Sequence, residues 1–396
     1  MKVKTSTWLA AIALAAVSGL AAAQTVKIGI ITTYSGPTAG QGDQLDKGYK
    51  LYLKLHADKL PPGVKVEPIF RDDTGANPDA AKRLAQELIV RDKVQFLTGV
   101  VWTPNAAAIA PLTAEAKVPF VIANAAGVTI PRVSPYVARV SFTLWQSAYP
   151  LGQWAAKKYK RVYTVVSDFA PGHEAEEGFT KGFKEAGGEI VGSARVPLAN
   201  TDFIPYMQRV KDAKPDAIFA FNPAGKQATA QMKAYAELGL AKAGIKYIGT
   251  GDITTDEELQ NMGDSAVGVM TVHHYSAAAN RPANKAFVAA YKKEYGAKLN
   301  PGFMVVGAWD AMDAIFYAIR EQKGKLDPDR TMELLKHYKN PNSPRGPIQI
   351  DPETREIVQN EYLREVRKVG GQLENVELET IATQYKDPWK TFNPKK

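Results

Sequence analysis

Cysteine is absent from all 396 residues. That rules out disulfides, a thiol nucleophile and a lipid anchor on an N-terminal cysteine, so the fold rests on its own core even in an oxidising compartment. Other signatures are missing too. No Gly-x-x-x-x-Gly-Lys-Ser/Thr loop occurs, which removes ordinary nucleoside triphosphate hydrolysis, and no Gly-x-Ser-x-Gly elbow offers a serine nucleophile. His173-Glu174 begins like a zinc helix, but position 177 is Glu where the second histidine belongs. His273-His274 are expected to end a strand and point to opposite faces, with no third ligand nearby, so no metal is expected. Glycines 36, 40 and 42 miss the Gly-x-Gly-x-x-Gly spacing, and no cofactor is expected. Beyond the first two dozen residues no apolar run reaches the roughly 20 residues that cross a bilayer, so stable membrane insertion is not expected.

Charge is plentiful but scattered. The net charge is +9, or +7 without Lys2 and Lys4. The basic clusters Lys157-Lys158, Lys160-Arg161, Lys292-Lys293 and Lys395-Lys396 are short and separate. A nucleic-acid partner needs a concentrated basic face. None is expected.

At the N-terminus, Lys2 and Lys4 precede an apolar stretch from Trp8 to Leu20 and the small residues Ala21-Ala22-Ala23. This is the pattern of a signal peptide, residues 1–23, cleaved after Ala23. The remaining 373 residues (396 less 23) exceed what one core usually supports, so two lobes are expected.

One grammar then repeats. Strand candidates Val26–Ile31, Val64–Phe70, Val94–Val101, Pro119–Ile122, Val162–Ser167, Glu189–Val196, Ala217–Phe221, Lys246–Gly249 and Gly268–His273 alternate with helical patterns. Those helices include Asp43–Ala57, Asp79–Arg91, Asn105–Ala116, Gln146–Tyr159, Glu174–Ala186, Ile204–Lys211, Lys226–Leu238 and Asn284–Tyr295. Such alternation predicts an α/β fold of two doubly wound, Rossmann-like lobes with parallel sheets. The tail differs: Ile348–Ile350 and Ile357–Arg367 alternate like antiparallel strands. No disordered linker separates the lobes, which points to crossovers acting as a hinge.

Open α/β sheets bind ligands in the loops at the carboxyl ends of their strands. Here those loops are Tyr34–Gly42, Gly99–Asn105 and Ala123–Gly127. Thr103 and Asn105 read equally as helix caps or ligand contacts, and Trp102 as core packing or a stacking surface.

Val26–Gly48, with its Ser35-Gly36-Pro37 loop, resembles the start of a type I periplasmic substrate-binding protein. The similar branch is the leucine/isoleucine/valine-binding, or hydrophobic amino acid, group of ABC transporter receptors. The resemblance continues through Arg71–Pro78, Leu88-Ile89 with Asp92-Lys93-Val94, Gly99 to Thr103, Val118–Val121 and Asp168-Phe169-Ala170-x-Gly172, over nearly the whole mature chain.

The resemblance implies three crossovers and lobes of 24–142 plus 276–346 and 143–275 plus 347–396. It implies a periplasmic receptor, monomeric and without catalysis, that closes on a small-molecule carboxylate and delivers it to ABC transporter permease subunits. The family's carboxylate-holding positions fall on Thr103, Ala125 and Ala126, with Gln41, Trp102 and Asn105 beside them. Thr103 replaces the usual serine, Ala126 stands where a threonine is common, and Gln41 where some amino-acid binders carry tyrosine. On the second lobe Phe169, Asn222, Asp252 and Tyr275 match, with His274 adjacent. Asp252 reads either as the partner of an ammonium group or as a turn residue before Thr254–Glu257. A branched-chain or hydrophobic amino acid and an aromatic carboxylate both fit. Trp102, Phe169, Asn105 and the hydroxyl missing at Ala126 resemble the aromatic branch. A periplasmic sensor subunit is the alternative function, and a secreted hydrolase a third.

Overall fold

Strands buried on both faces need continuous apolar, β-branched sequence. In the computed structural model β1 (Gln24–Thr32) meets that condition, with Val26, Ile28, Ile30 and Ile31 all inaccessible. The structure describes residues 24–36, 38–199 and 202–394; the expected signal peptide, Pro37 and Lys395-Lys396 lie outside the described residues. With β1 pair β2 (Val64–Asp72), β3 (Phe96–Gly99), β4 (Phe120–Ile122) and β5 (Val137–Arg139), all parallel, in the order β2-β1-β3-β4-β5. Helices α1 (Ala39–His56), α2 (Pro78–Val90), α3 (Thr103–Ala116) and α4 (Ile130–Val133) connect them.

The second sheet has a parallel centre of β6 (Arg161–Ser167), β7 (Glu189–Val196), β8 (Ala217–Phe221), β9 (Lys246–Thr250) and β10 (Met270–His273). Its helices are α5 (Leu144–Ala155), α6 (Ala170–Glu185), α7 (Ile204–Ala213), α8 (Lys226–Glu237) and α9 (Asp256–Met262). The chain then returns through α10 (Pro282–Tyr295), α11 (Phe303–Glu321) and α12 (Pro328–Lys336). Helix α11 packs on α1, β3 and β4, and α12 on β5. Two short strands, β11 (Lys339–Asn340) and β12 (Ile348–Ile350), lead to β13 (Ile357–Val369), β14 (Gln372–Tyr385) and α13 (Trp389–Phe392). β13 runs antiparallel to β10 and carries β14 on its other side, so this sheet is mixed. The chain thus passes between the sheets three times: after β5, after β10 and through β11–β13.

Several sequence expectations shift. Helix α1 begins at Ala39, not Asp43, so Gly40, Gln41 and Gly42 form its first turn instead of a loop. Gly42 makes this feasible, because a Cβ there would sit 1.8 Å from the Thr33 carbonyl oxygen. Helix α11 escaped the periodicity reading because it is buried nearly all round and shows no polar face to alternate with. His273 and His274 do not diverge. The strand ends at His273, so alternation stops there, and the two rings lie 4.2 Å apart, both against Phe142.

Candidate functional site

The two sheets turn the carboxyl ends of their strands toward one cavity, the usual place for a ligand in open α/β sheets. After β3 the backbone enters the left-handed region twice, at Gly99 (φ 103°) and Val100 (φ 61°). A β-branched residue in that region is strained, and such strain concentrates where a site needs a particular chain direction. Here it is held by hydrogen bonds from Val100 N–H to Ile31 C=O (2.7 Å) and from Ala125 N–H to Val100 C=O (3.0 Å). The turn brings Val101, Trp102 and Thr103 to the cavity at the start of α3.

Thr103 is the first residue of α3 and not its cap; Trp102 holds the cap position, without a side-chain capping bond. The Thr103 Oγ1 accepts the Gly127 N–H at 3.1 Å, which leaves the hydroxyl proton to donate elsewhere. The first intrahelical bond runs from Ala106 N–H to Trp102 C=O, so the Thr103 and Asn105 amides precede the helix ladder and form the electropositive end of α3. Across from them lie Phe169 at the start of α6, Phe221 at the end of β8, then Pro223 and Ala224. The rings of Phe169 and Phe221 stack 6.0 Å apart. Phe142, Leu144 and Met304 complete an apolar wall.

Gln41 closes the cavity from α1. Its Nε2 donates to the Ala224 carbonyl oxygen of the opposite lobe, while Oε1 stays buried and unpartnered. At the other side Asp252 receives the Thr250 hydroxyl on Oδ2 (2.9 Å), and burial pushes its carboxyl up to about 6. His273 Nε2 is 3.9 Å from the same oxygen, and burial drives that imidazole toward its neutral form.

Gln41, Trp102, Thr103, Ala126, Phe169 and Asp252 therefore share the cavity, and four other sequence-derived positions do not line it. Asn105 spends its amide on Asp73 Oδ2 (2.8 Å) and Gly75 C=O (2.8 Å), bracing α3 against the loop after β2. Asn222 accepts from Ser167 Oγ (2.8 Å) and donates to Gln231, behind the Phe221 wall. Tyr275 is fully buried beside Phe287, on the passage leaving β10. Ala125 packs its methyl into the α2–α3 core and turns its carbonyl to Arg139. Sequence reasoning missed Phe142, Leu144, Phe221, Pro223, Ala224 and Met304 as lining residues, and quoted Asn124 only as part of a loop. The Asn124 Nδ2 donates to Val101 C=O (2.9 Å), with Oδ1 unpartnered at the cavity.

Three comparisons bear on this arrangement. The periplasmic binding protein family profile matches residues 25–372. A Leu/Ile/Val-binding protein homolog 6 from Brucella melitensis biotype 1 is 42% identical over 386 residues, covering 97% of this chain and 98% of that protein. Among solved structures, a solute-binding protein of an ABC transporter from Rhodopseudomonas palustris BisB5, in complex with 3,4-dihydroxybenzoic acid, is 50% identical with a TM-score of 0.89. It covers 93% of this chain and 99% of its own. A second R. palustris solute-binding protein, in complex with 4-hydroxybenzoate, is 44% identical with a TM-score of 0.88 and covers 92% and 98%.

Proposed function

The chain belongs to the periplasmic binding protein family, and from that membership we propose that it captures an aromatic carboxylate carrying a ring hydroxyl. It is a solute-binding receptor of an ABC importer that holds a small carboxylate between two lobes. The observation that carries the aromatic reading is the wall of Trp102, Phe142, Phe169 and Phe221 around a cavity with one acid, Asp252. A flat ring can stack on such surfaces, and offset aromatic pairs add about 0.5–1.5 kcal/mol beyond area burial. The ligand carboxylate lies at the Thr103 hydroxyl and the start of α3, and the ring hydroxyl at the Asp252 carboxyl group. The related R. palustris proteins that hold 3,4-dihydroxybenzoic acid and 4-hydroxybenzoate support this choice.

The lobes comprise residues 24–142 plus 276–346 and 143–275 plus 347–396. Ligand touching both stabilises the closed form by its differential affinity for closed over open. The combined closed surface is what a permease reads. Binding and release need no catalysis and no cofactor, and a monomer suffices. Lys2, Lys4, the apolar stretch and Ala21–Ala23 support export to the periplasm with cleavage after Ala23.

Asp252 also keeps an amino acid as a second reading, since a carboxylate there would pair with an ammonium group. Calorimetric titration of wild type and Asp252→Asn with 4-hydroxybenzoate, benzoate and leucine separates the two. In our reading wild type binds 4-hydroxybenzoate most tightly, and the variant, whose amide oxygen still accepts the ring hydroxyl, loses less than about tenfold for it. Tight binding of leucine by wild type, abolished in the variant while benzoate is ignored by both, overturns it.

A further inference from the structure

Arg139, at the end of β5, is fully buried and does not itself line the cavity, yet its guanidinium gathers three carbonyls from segments that reach it. Nη1 donates to Ala125 C=O (2.9 Å) and Phe142 C=O (3.2 Å), and Nη2 to Gly127 C=O. Nε lies 2.8 Å from Glu356 Oε2, so the charge is balanced within the core. Only a guanidinium offers enough donors in one plane to hold carbonyls from two segments at once.

A trans peptide group sets its C=O and N–H on opposite sides. With the carbonyls of Ala125 and Gly127 turned to Arg139, the N–H groups of Ala126 and Val128 must turn away from it. Val128 obeys: its N–H points at Glu174 of the opposite lobe, 3.3 and 3.2 Å from the two carboxylate oxygens. Ala126 lines the cavity, and the same rule turns its N–H away from Arg139. The intervening Gly127 N–H engages the Thr103 oxygen at 3.1 Å and so orients that hydroxyl. Gly127 can approach so closely only without a side chain, because a Cβ would lie 2.4 Å from Thr103 Cγ2.

We propose that Arg139 is the positioning residue for the ligand carboxylate: by holding the 125 and 127 carbonyls it aims the Ala126 N–H and the Thr103 hydroxyl at one anion. This rests on the carboxylate lying at Thr103, as in the function proposed above. Arg139 also ties that anion loop to Phe142, so the polar end of the site and its aromatic wall are set by one side chain.

The test pairs an acid with its neutral amide, since only the acid needs the aimed donors. Wild type is expected to prefer 4-hydroxybenzoate over 4-hydroxybenzamide. Arg139→Lys, which can hold fewer of the carbonyls, is expected to lose about 10- to 100-fold in affinity for the acid, as for one charge-assisted hydrogen bond. Affinity for the amide should change less than about threefold. Equal losses for acid and amide would reduce Arg139 to a general structural role and overturn the proposal. If the variant does not fold, amide exchange in the wild-type protein decides. The Ala126 N–H must gain protection with the acid and not with the amide; no gain with the acid overturns the proposal. If the protein binds leucine and no benzoate, the aromatic reading fails alone, and the pair leucine and leucinamide tests Arg139 in the same way.

Discussion

Gln41 offers the sharpest test of closure, because its one visible bond joins the two lobes. The Nε2 donates to Ala224 C=O, and Ala224 is only 4% accessible when the lobes meet. Gln41→Ala removes the donor and leaves that carbonyl buried without it, a cost of about 1–3 kcal/mol. When the lobes part, water satisfies the carbonyl, so the cost falls on the closed state alone. The closed-to-open ratio should drop about 5- to 150-fold, and ligand affinity by the same factor wherever the free protein is mostly open. Calorimetry gives the affinity, and small-angle scattering gives the radius of gyration with and without ligand. The expected result is weaker binding with unchanged ligand-free and saturated radii. Gln41→Glu keeps the length of the side chain but replaces the amide donor with an acceptor, and should bind no better than the alanine variant. Wild-type affinity in either variant would show that the Gln41–Ala224 contact does not hold the lobes together.

Three further outcomes follow from neighbouring geometry. Asn105→Ala should lower stability by about 2–3 kcal/mol in urea unfolding, because Asp73 and Gly75 lose their shared donor, while ligand affinity stays within about threefold. Gly42→Ala should lower the melting temperature sharply or abolish soluble expression, since the new Cβ would overlap the Thr33 carbonyl at 1.8 Å. Glu174, partly accessible yet densely surrounded, has its carboxyl pushed from 4.5 up to about 8 by burial, offset in part by Arg139. A raised carboxyl favours the folded, protonated form, so its contribution is present at acid pH and lost as pH rises through about 8. The ligand-bound protein should lose up to about 4 kcal/mol between pH 5 and 8.5 from this group, and Glu174→Gln, which still accepts the Val128 N–H, should flatten that slope in thermal melts.

The alternation of strands and helices was legible because the central β-branched runs are buried on both faces, as in β1, β6 and β8, and are separated by amphipathic helices. What stayed hidden lacked that contrast. β5 is only three residues long, and α11 is buried around nearly its whole circumference, Asp310 included. At the site, the loops themselves were visible, since strand ends and helix starts mark where an α/β sheet can bind. Within those loops, a polar residue bound to another loop looks the same in sequence as one left free for a ligand. Asn105 and Asn222 are of the first kind, satisfied by Asp73 and by Ser167 with Gln231. Phe142 was missed because it lies on a passage between lobes, not on a strand-end loop. Its one local signal is the capping pair Thr143 and Gln146, which marks a helix starting directly after it.

The passages themselves explain how closure can be driven by so small a ligand. Arg345 on the third passage donates to Val140 and Ser141 carbonyls on the first and pairs with Asp310 of α11 at 2.8 Å. Arg364 of β13 donates to the Tyr275 carbonyl on the second, and Arg281 makes two 2.8 Å bonds to Glu377 of β14. Buried ion pairs contribute little net stability, because desolvation offsets their attraction, but removing one partner is costly. Their effect here is geometric: each guanidinium holds carbonyls of a passage that has no sheet neighbour to pair with. A crossing region held this way resists local deformation, so lobe motion concentrates in the few backbone torsions that remain free. Little of the ligand's binding energy is then dissipated in ordering the hinge. The balance between open and closed is set by contacts across the cleft, among them Gln41 with Ala224 and Glu174 with Val128, and by the ligand itself.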